Sequence, residues 1–281
     1  MDIATVNFTT MEGSTNFTSL LSQNLTIVDM YIFSIIVLFG FPTQSYIIWL
    51  IVTGAGSGIS SEFFLFNLCI CEMFNYLVCL MFLLSKWSLG FMMFGLLLQG
   101  LLITGRPLFQ CLICVERYLA VVHPVIFLKY KPLRYKVMCS SAAWIICTAS
   151  CLFCFFLFIS NTVAAHSCFF VIFFLTILSI QLFCLLAVLR ALKQSGPGER
   201  MGEREDTSHI KRKAFYLILI TTVSMIIIYV PISVSGFLTA MTNKYIAELW
   251  YPAFLSYMLG GFLQPVFYLH RCGKLFCYAS S

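Results

Sequence analysis

The chain has 281 residues, of which 60% are hydrophobic and only 10% charged, with a formal net charge of +6. A soluble fold of this length needs far more polar surface, so an ordinary soluble domain is excluded. The basic residues gather at the ends of apolar segments, as membrane topology requires, and not in the continuous patch that would suit nucleic acid.

Residues 1–29 form a polar tail without Lys or Arg, carrying Asn-x-Thr sequons at Asn7, Asn16 and Asn24. Sequons become glycosylated only on chain that reaches the secretory lumen. No basic segment followed by an apolar run precedes them, so the first span is expected to act as its own insertion signal. Seven apolar stretches follow, at 30–52, 63–84, 91–122, 137–159, 168–189, 214–240 and 245–269. Each has the roughly 20 residues that a helix needs to cross the hydrocarbon core. The expected organisation is a glycosylated tail at 1–29, an all-α membrane domain at 30–269 and a short end piece at 270–281.

The connections are uneven. Residues 53–61 are Gly/Ser-rich, and 160–167 are few. The segment 190–213 is expected to be a long loop, broken by Ser195-Gly196-Pro197-Gly198. Thirteen Lys and Arg lie on one side of the bilayer, in 123–136, 190–213 and 270–281, against Lys86 and Lys244 on the other. Positive residues stay cytoplasmic, which places the N-terminus outside and the C-terminus inside.

Of the thirteen cysteines, Cys69, Cys71, Cys79, Cys111, Cys114, Cys147, Cys151, Cys154 and Cys184 are among those inside spans, where Cys packs as a small apolar residue. Cys272 and Cys277 follow the last span beside basic residues. Cys277 is the better palmitoylation candidate, with an unmodified interfacial thiol as the alternative.

Four charges within the spans matter most: Glu72, Arg106, Glu116 and Arg117. Glu72 is ten residues in from Glu62, and Arg106 is eleven back from Arg117. At about 1.5 Å per residue both lie some 15–17 Å from the same membrane face. Opposite charges at one depth should pair, because a lone one is costly in the bilayer. The alternative is that Arg106 snorkels into a wet crevice. The third span ends in Glu116-Arg117-Tyr118, where Arg117 is either an interfacial anchor or a functional group.

Together these residues resemble the rhodopsin-like (class A) G-protein-coupled receptors over nearly the whole chain after the tail. Glu116-Arg117-Tyr118, running on to His123-Pro124, is similar to the family's Asp/Glu-Arg-Tyr motif and second cytoplasmic loop. Asn67-Leu68-Cys69-Ile70-Cys71-Glu72, Trp87-Ser88-Leu89-Gly90, Trp144, Pro231 and Gln264-Pro265-Val266-Phe267-Tyr268 match further motifs in order and spacing. A looser likeness points toward the purinergic and protease-activated groups. The resemblance implies a seven-transmembrane helix bundle with a short cytoplasmic helix 8, located in the plasma membrane. It implies that an extracellular ligand drives coupling to a heterotrimeric G protein. Arg117 would be held by the neighbouring acid Glu116 at rest and face the G protein when active, with Tyr268 and Pro265 in the switch.

The departures from the pattern are specific. Gln44, Glu72 and Gln264 stand where the family has Asn, Asp and Asn around a water-filled cavity that often holds sodium, and Arg106 replaces a small polar residue there. The expected outcome is an intramembrane polar cluster of Gln44, Glu72, Arg106 and Gln264 in which the guanidinium takes the place of the ion. No cysteine lies near 92–94 to pair with Cys168. Ligand-pocket candidates are Gln99, His166, Tyr229 and Tyr257. Gln99 in place of an acid disfavours a biogenic amine, and the lack of a basic cluster disfavours a nucleotide. No catalytic motif, metal-ligand spacing, phosphate loop or Schiff-base lysine in the last span is present, so neither an enzyme nor a cofactor is expected. Two alternatives stand beside a receptor: a receptor-like scaffold that does not signal, and a transporter or proton pathway using Glu72 and Arg106.

Overall fold

The computed structural model describes residues 27–54, 62–130, 132–160, 162–193, 201–242 and 247–271. The three sequons, Cys277 and the segment 272–281 expected to hold helix 8 lie outside the described residues. All regular structure among them is helical. The elements are α1 Ile27–Val52, α2 Phe63–Leu84, α3 Leu89–Val122, α4 Pro124–Tyr130, α5 Leu133–Ile159, α6 Val163–Lys193, α7 Met201–Thr242 and α8 Ala247–Arg271. Six of these, α1, α2, α3, α5, α6 and α7, are long and apolar enough to cross a membrane. The seventh expected span, 245–269, coincides with α8, which has 25 residues and contains Pro252 and Pro265.

Several helices run past the expected spans: α5 begins at Leu133 and not 137, and α6 covers Val163–Lys193 and not 168–189. The segment 201–213, read as loop, is the first part of α7, a helix of 42 residues. After the breaker at Ser195-Gly196-Pro197-Gly198 the sequence is rich in Glu, Arg and Lys and free of proline as far as Pro231, a composition that favours helix. The short α4 was not anticipated. His123 ends α3, and its carbonyl accepts from Phe127 N at 2.9 Å, so Pro124 takes the first helical position, where its missing N–H costs nothing.

α3 is the hub, packing on α2, α5, α6 and α7, and more than half of its apolar stretch is buried. α1 closes on α2 and α8, while α7 lies between α6 and α8. Small residues allow the close approaches. A Cβ on Gly100 would lie 2.5 Å from the Cys151 Cα, so α3 and α5 touch backbone to backbone. Cys69, Cys79, Cys114 and Cys147 are fully buried among larger apolar side chains. Trp144 of α5 packs on Phe109, with ring centres 5.4 Å apart, and its Nε1 donates to Asn67 Oδ1 of α2 at 2.9 Å. The outward faces are apolar too: Ile145, Phe156, Ile172 and Phe183 are exposed. Helices apolar all round belong in lipid.

Candidate functional site: two charged levels in the bundle

The first level is at the middle of the bundle. Gly105 precedes Arg106 and Cys71 precedes Glu72; a Cβ on Gly105 would collide with the Cys71 sulfur. This contact of small residues draws α2 and α3 together where the two charges sit. Arg106 Nε donates to Glu72 Oε1 at 2.5 Å and Nη2 donates to Oε2 at 2.7 Å. Such two-pronged pairing is the strong geometry for a guanidinium and a carboxylate. Nη1 donates to the backbone carbonyl of Tyr257 in α8 at 2.7 Å, and the guanidinium carbon is 4.4 Å from the centre of the Tyr257 ring. Asn75, one turn beyond Glu72, donates from Nδ2 to Oε2 at 3.3 Å. The Arg106 and Glu72 side chains are only 3% and 2% exposed. Charges so deep are stable only when each answers the other and the remaining donors are used.

The other two members of the expected polar cluster are not seen bonded to this pair. Gln44 is fully buried in α1, and neither of its amide atoms bonds to Arg106 or Glu72. Gln264 belongs to α8, but its side chain is not among those described. The acceptor that completes the site is the Tyr257 carbonyl, which no side-chain pattern announces. The available signal was Gly260-Gly261, a glycine doublet inside a span.

Two of the four ligand-pocket candidates belong to this level. Tyr229 is fully buried, stacks on Phe174 at 5.5 Å and meets the Tyr257 ring edge-on at 5.8 Å. Tyr229 and Tyr257 thus wall the ion-pair compartment in this structure. Large rings are needed there to exclude solvent around a buried guanidinium. Gln99, about three turns into α3, and His166, in the first turn of α6, are half-buried.

The second level is where α3 ends. Glu116 Oε1 accepts from Lys136 Nζ of α5 at 2.6 Å, and both side chains are largely buried. Arg117 Nη2 stands 3.9 Å from Glu62 Oε2, at the start of α2, and the Arg117 side chain is 24% exposed. Arg117 Nε makes no hydrogen bond. The neighbouring acid is thus not the partner of Arg117, contrary to expectation. Successive residues on a helix project about 100° apart, so Glu116 faces α5 while Arg117 faces α2. Sequence reading missed Lys136, counted there as a loop cation, and Glu62, used only as a depth marker.

Tyr118 shares a 3.2 Å hydrogen bond with His123 Nε2 and packs edge-on against Phe183 of α6. Pro265 is buried in α8. Tyr268 is buried with Ile47, Leu50, Ile51 and Cys69, on the α1–α2 side of the bundle.

No protein-family model matches the chain. Over 218 residues it is 27% identical to chemokine XC receptor 1 of Mus musculus, and the match covers 68% of this chain and 67% of that protein. That relative is a G-protein-coupled receptor of class A. With six helices of membrane-spanning length and composition, the chain is a multi-pass membrane protein similar to G-protein-coupled receptors.

Proposed function

We propose that the chain is a class A receptor at the plasma membrane, with α8 as its seventh span, its N-terminus outside, and a heterotrimeric G protein as its partner at the Arg117 end. The observation that carries this reading is Arg117 itself. It closes the central helix, keeps a quarter of its surface exposed and holds its acid at 3.9 Å, beyond hydrogen-bond distance. An arginine so loosely held has donors free for a partner that inserts at this end. The ordered motifs and the likeness to a receptor support the assignment. Exposed Val125 and Ile126 on α4 supply apolar surface next to it.

The ligand is extracellular and neither an amine nor a nucleotide. Gln99 and His166 remain as contacts in the outer halves of α3 and α6. Because the relative is named as a chemokine receptor, a protein or peptide ligand engaging the outer surface is the class to test first.

A G-protein activation panel on cells expressing the chain tests the reading, since basal activity needs no identified ligand. Arg117→Ala should reach the surface yet lose coupling. Normal coupling in that variant would remove the proposed mechanism. Surface expression with no coupling to any G protein would favour the non-signalling scaffold. Loss of a glycosidase-sensitive gel shift on removing Asn7, Asn16 and Asn24 together checks the orientation.

A further inference from the structure

The Trp87-Ser88-Leu89-Gly90 run takes no part in either charged level. It lies where α2 hands over to α3, at the end of the bundle away from Arg117. α2 has 22 residues, a rise of about 33 Å, against a hydrocarbon core about 30 Å thick. Leu84 therefore comes to the hydrocarbon boundary, and the turn at 85–88 falls in the headgroup layer beyond it.

That turn is short and well bonded. Ser85 Oγ donates to the Phe82 carbonyl at 2.6 Å, and Trp87 N donates to the Leu84 carbonyl at 2.9 Å. Ser88 caps α3: its Oγ accepts from Gly90 N at 3.3 Å and its carbonyl from Phe91 N at 3.2 Å. The backbone on both sides of Trp87 is held, yet its indole is 79% exposed, more than any other aromatic side chain among the described residues. Lys86 beside it is exposed as well. In the first two turns of α3, Phe91 and Phe94 are also exposed, and three positions apart they share a face. This end of α3 has no covalent tie to α6. Residues 89–110 contain no cysteine, and Cys168 of α6 is a free, exposed thiol.

We infer that Trp87 is immersed in the headgroup layer of the bilayer, and that phospholipid, in place of a covalent tie, fixes the α2–α3 turn. Indole suits that layer, because its body is apolar and its single donor needs a polar acceptor. The ring meets glycerol and the first acyl carbons, while Nε1–H donates to an ester or phosphate oxygen. Lys86 lays its stem along the same boundary and carries its ammonium to the phosphates. Phe91 and Phe94 continue the apolar contact toward the acyl chains. A turn already held by its own hydrogen bonds presents these groups with little ordering cost. The inference needs only that α2 and α3 cross the bilayer, so it stands apart from the receptor reading.

Tryptophan fluorescence of the full chain in phosphatidylcholine nanodiscs tests it, with Trp87 isolated as the difference between wild type and Trp87→Phe. A nitroxide on the lipid headgroup should quench that difference signal more than one near the acyl terminus. Iodide in solution should reach it less than it reaches free tryptophan. A signal open to iodide and untouched by both lipid nitroxides overturns the inference and assigns Trp87 to a water-facing contact. Quenching strongest from the acyl terminus overturns it equally. Hydrogen–deuterium exchange tests the fixing role. In Trp87→Ser, peptides covering 85–95 should exchange roughly threefold faster or more than in wild type, whereas Trp87→Tyr, which keeps a ring and a polar tip, should stay near wild type. Wild-type exchange in Trp87→Ser sinks the proposal. Failure of both Trp87→Phe and Trp87→Tyr to fold would show that the ring packs on protein, and overturns it as well.

Discussion

The two charged levels use the same side-chain chemistry under different conditions. At mid-bundle Arg106 and Glu72 pair at 2.5 and 2.7 Å, nearly without exposure, and a third helix supplies a further acceptor. Where α3 ends, Arg117 and Glu62 stand 3.9 Å apart, and the arginine is 24% exposed. Between these extremes lies Lys136–Glu116, short at 2.6 Å and largely buried. Solvent decides the difference. Away from water, a displaced charge has nothing to turn to and the pair acts as a fastener. At the Arg117–Glu62 contact the carboxylate is 4% exposed and the arginine 24%, so it is the cation that has water to turn to. Lys136 also frees Arg117: by holding Glu116 it removes the nearest acid from competition.

The comparison can be broken at the mid-bundle pair first, where the effect is largest. Arg106→Met and Glu72→Gln should each lower stability by about 3–5 kcal/mol, read as thermal unfolding of purified protein, because each leaves a lone buried charge or donor set. The double variant should recover part of the loss. Strictly additive losses would mean that the two side chains are not a coupled pair.

Lys136→Met comes next. It should cost about 1.5–3 kcal/mol, the value of a charge-assisted hydrogen bond lost at a largely buried carboxylate. It should also alter signalling, since Glu116 is released to compete for Arg117. A stability loss as large as that of Arg106→Met would erase the ranking by depth.

Glu62→Gln should lower thermal stability by less than Glu72→Gln does, because Glu62, although only 4% exposed, meets Arg117 at 3.9 Å, beyond hydrogen-bond distance, and the arginine is 24% exposed. Its effect is expected in basal coupling, which should rise as Arg117 loses its restraint. Destabilisation equal to that of Glu72→Gln would show the two levels to be the same kind of contact.

The smallest effect is a null one. Exchanging sodium for another monovalent cation at fixed ionic strength should leave the melting temperature unchanged, because the guanidinium already supplies Glu72 with its cation. A marked sodium dependence would show that the carboxylate still recruits an ion.

Much of this was legible in the chain. Span length and hydropathy follow from bilayer thickness, a one-dimensional constraint that a sequence states directly. Depth is equally direct, since helical rise is constant, and counting from Glu62 and Arg117 put Glu72 and Arg106 at one level. Direction around the helix axis is what counting does not supply. That is why the sequence pairs Glu116 with its neighbour Arg117, while the fold pairs it with Lys136, twenty positions on. The helical start of α7 was hidden for another reason: a run of mixed charge reads as loop or helix alike until its ends are known.

The number of apolar segments, the distribution of basic residues at their ends and the depth of each charge all depend on distance along the chain, and so can be read from it directly. The partner of each charge depends instead on how the helices pack. Glu72 could have met solvent, an ion or Arg106, and the choice was made by small residues, Gly105 against Cys71 and Gly260-Gly261 beneath the guanidinium, that set how closely α2, α3 and α8 approach. The Tyr257 carbonyl became a ligand of Arg106 through that approach alone. Every residue carries such a carbonyl, so its role is written in helix positions and not in residue identity.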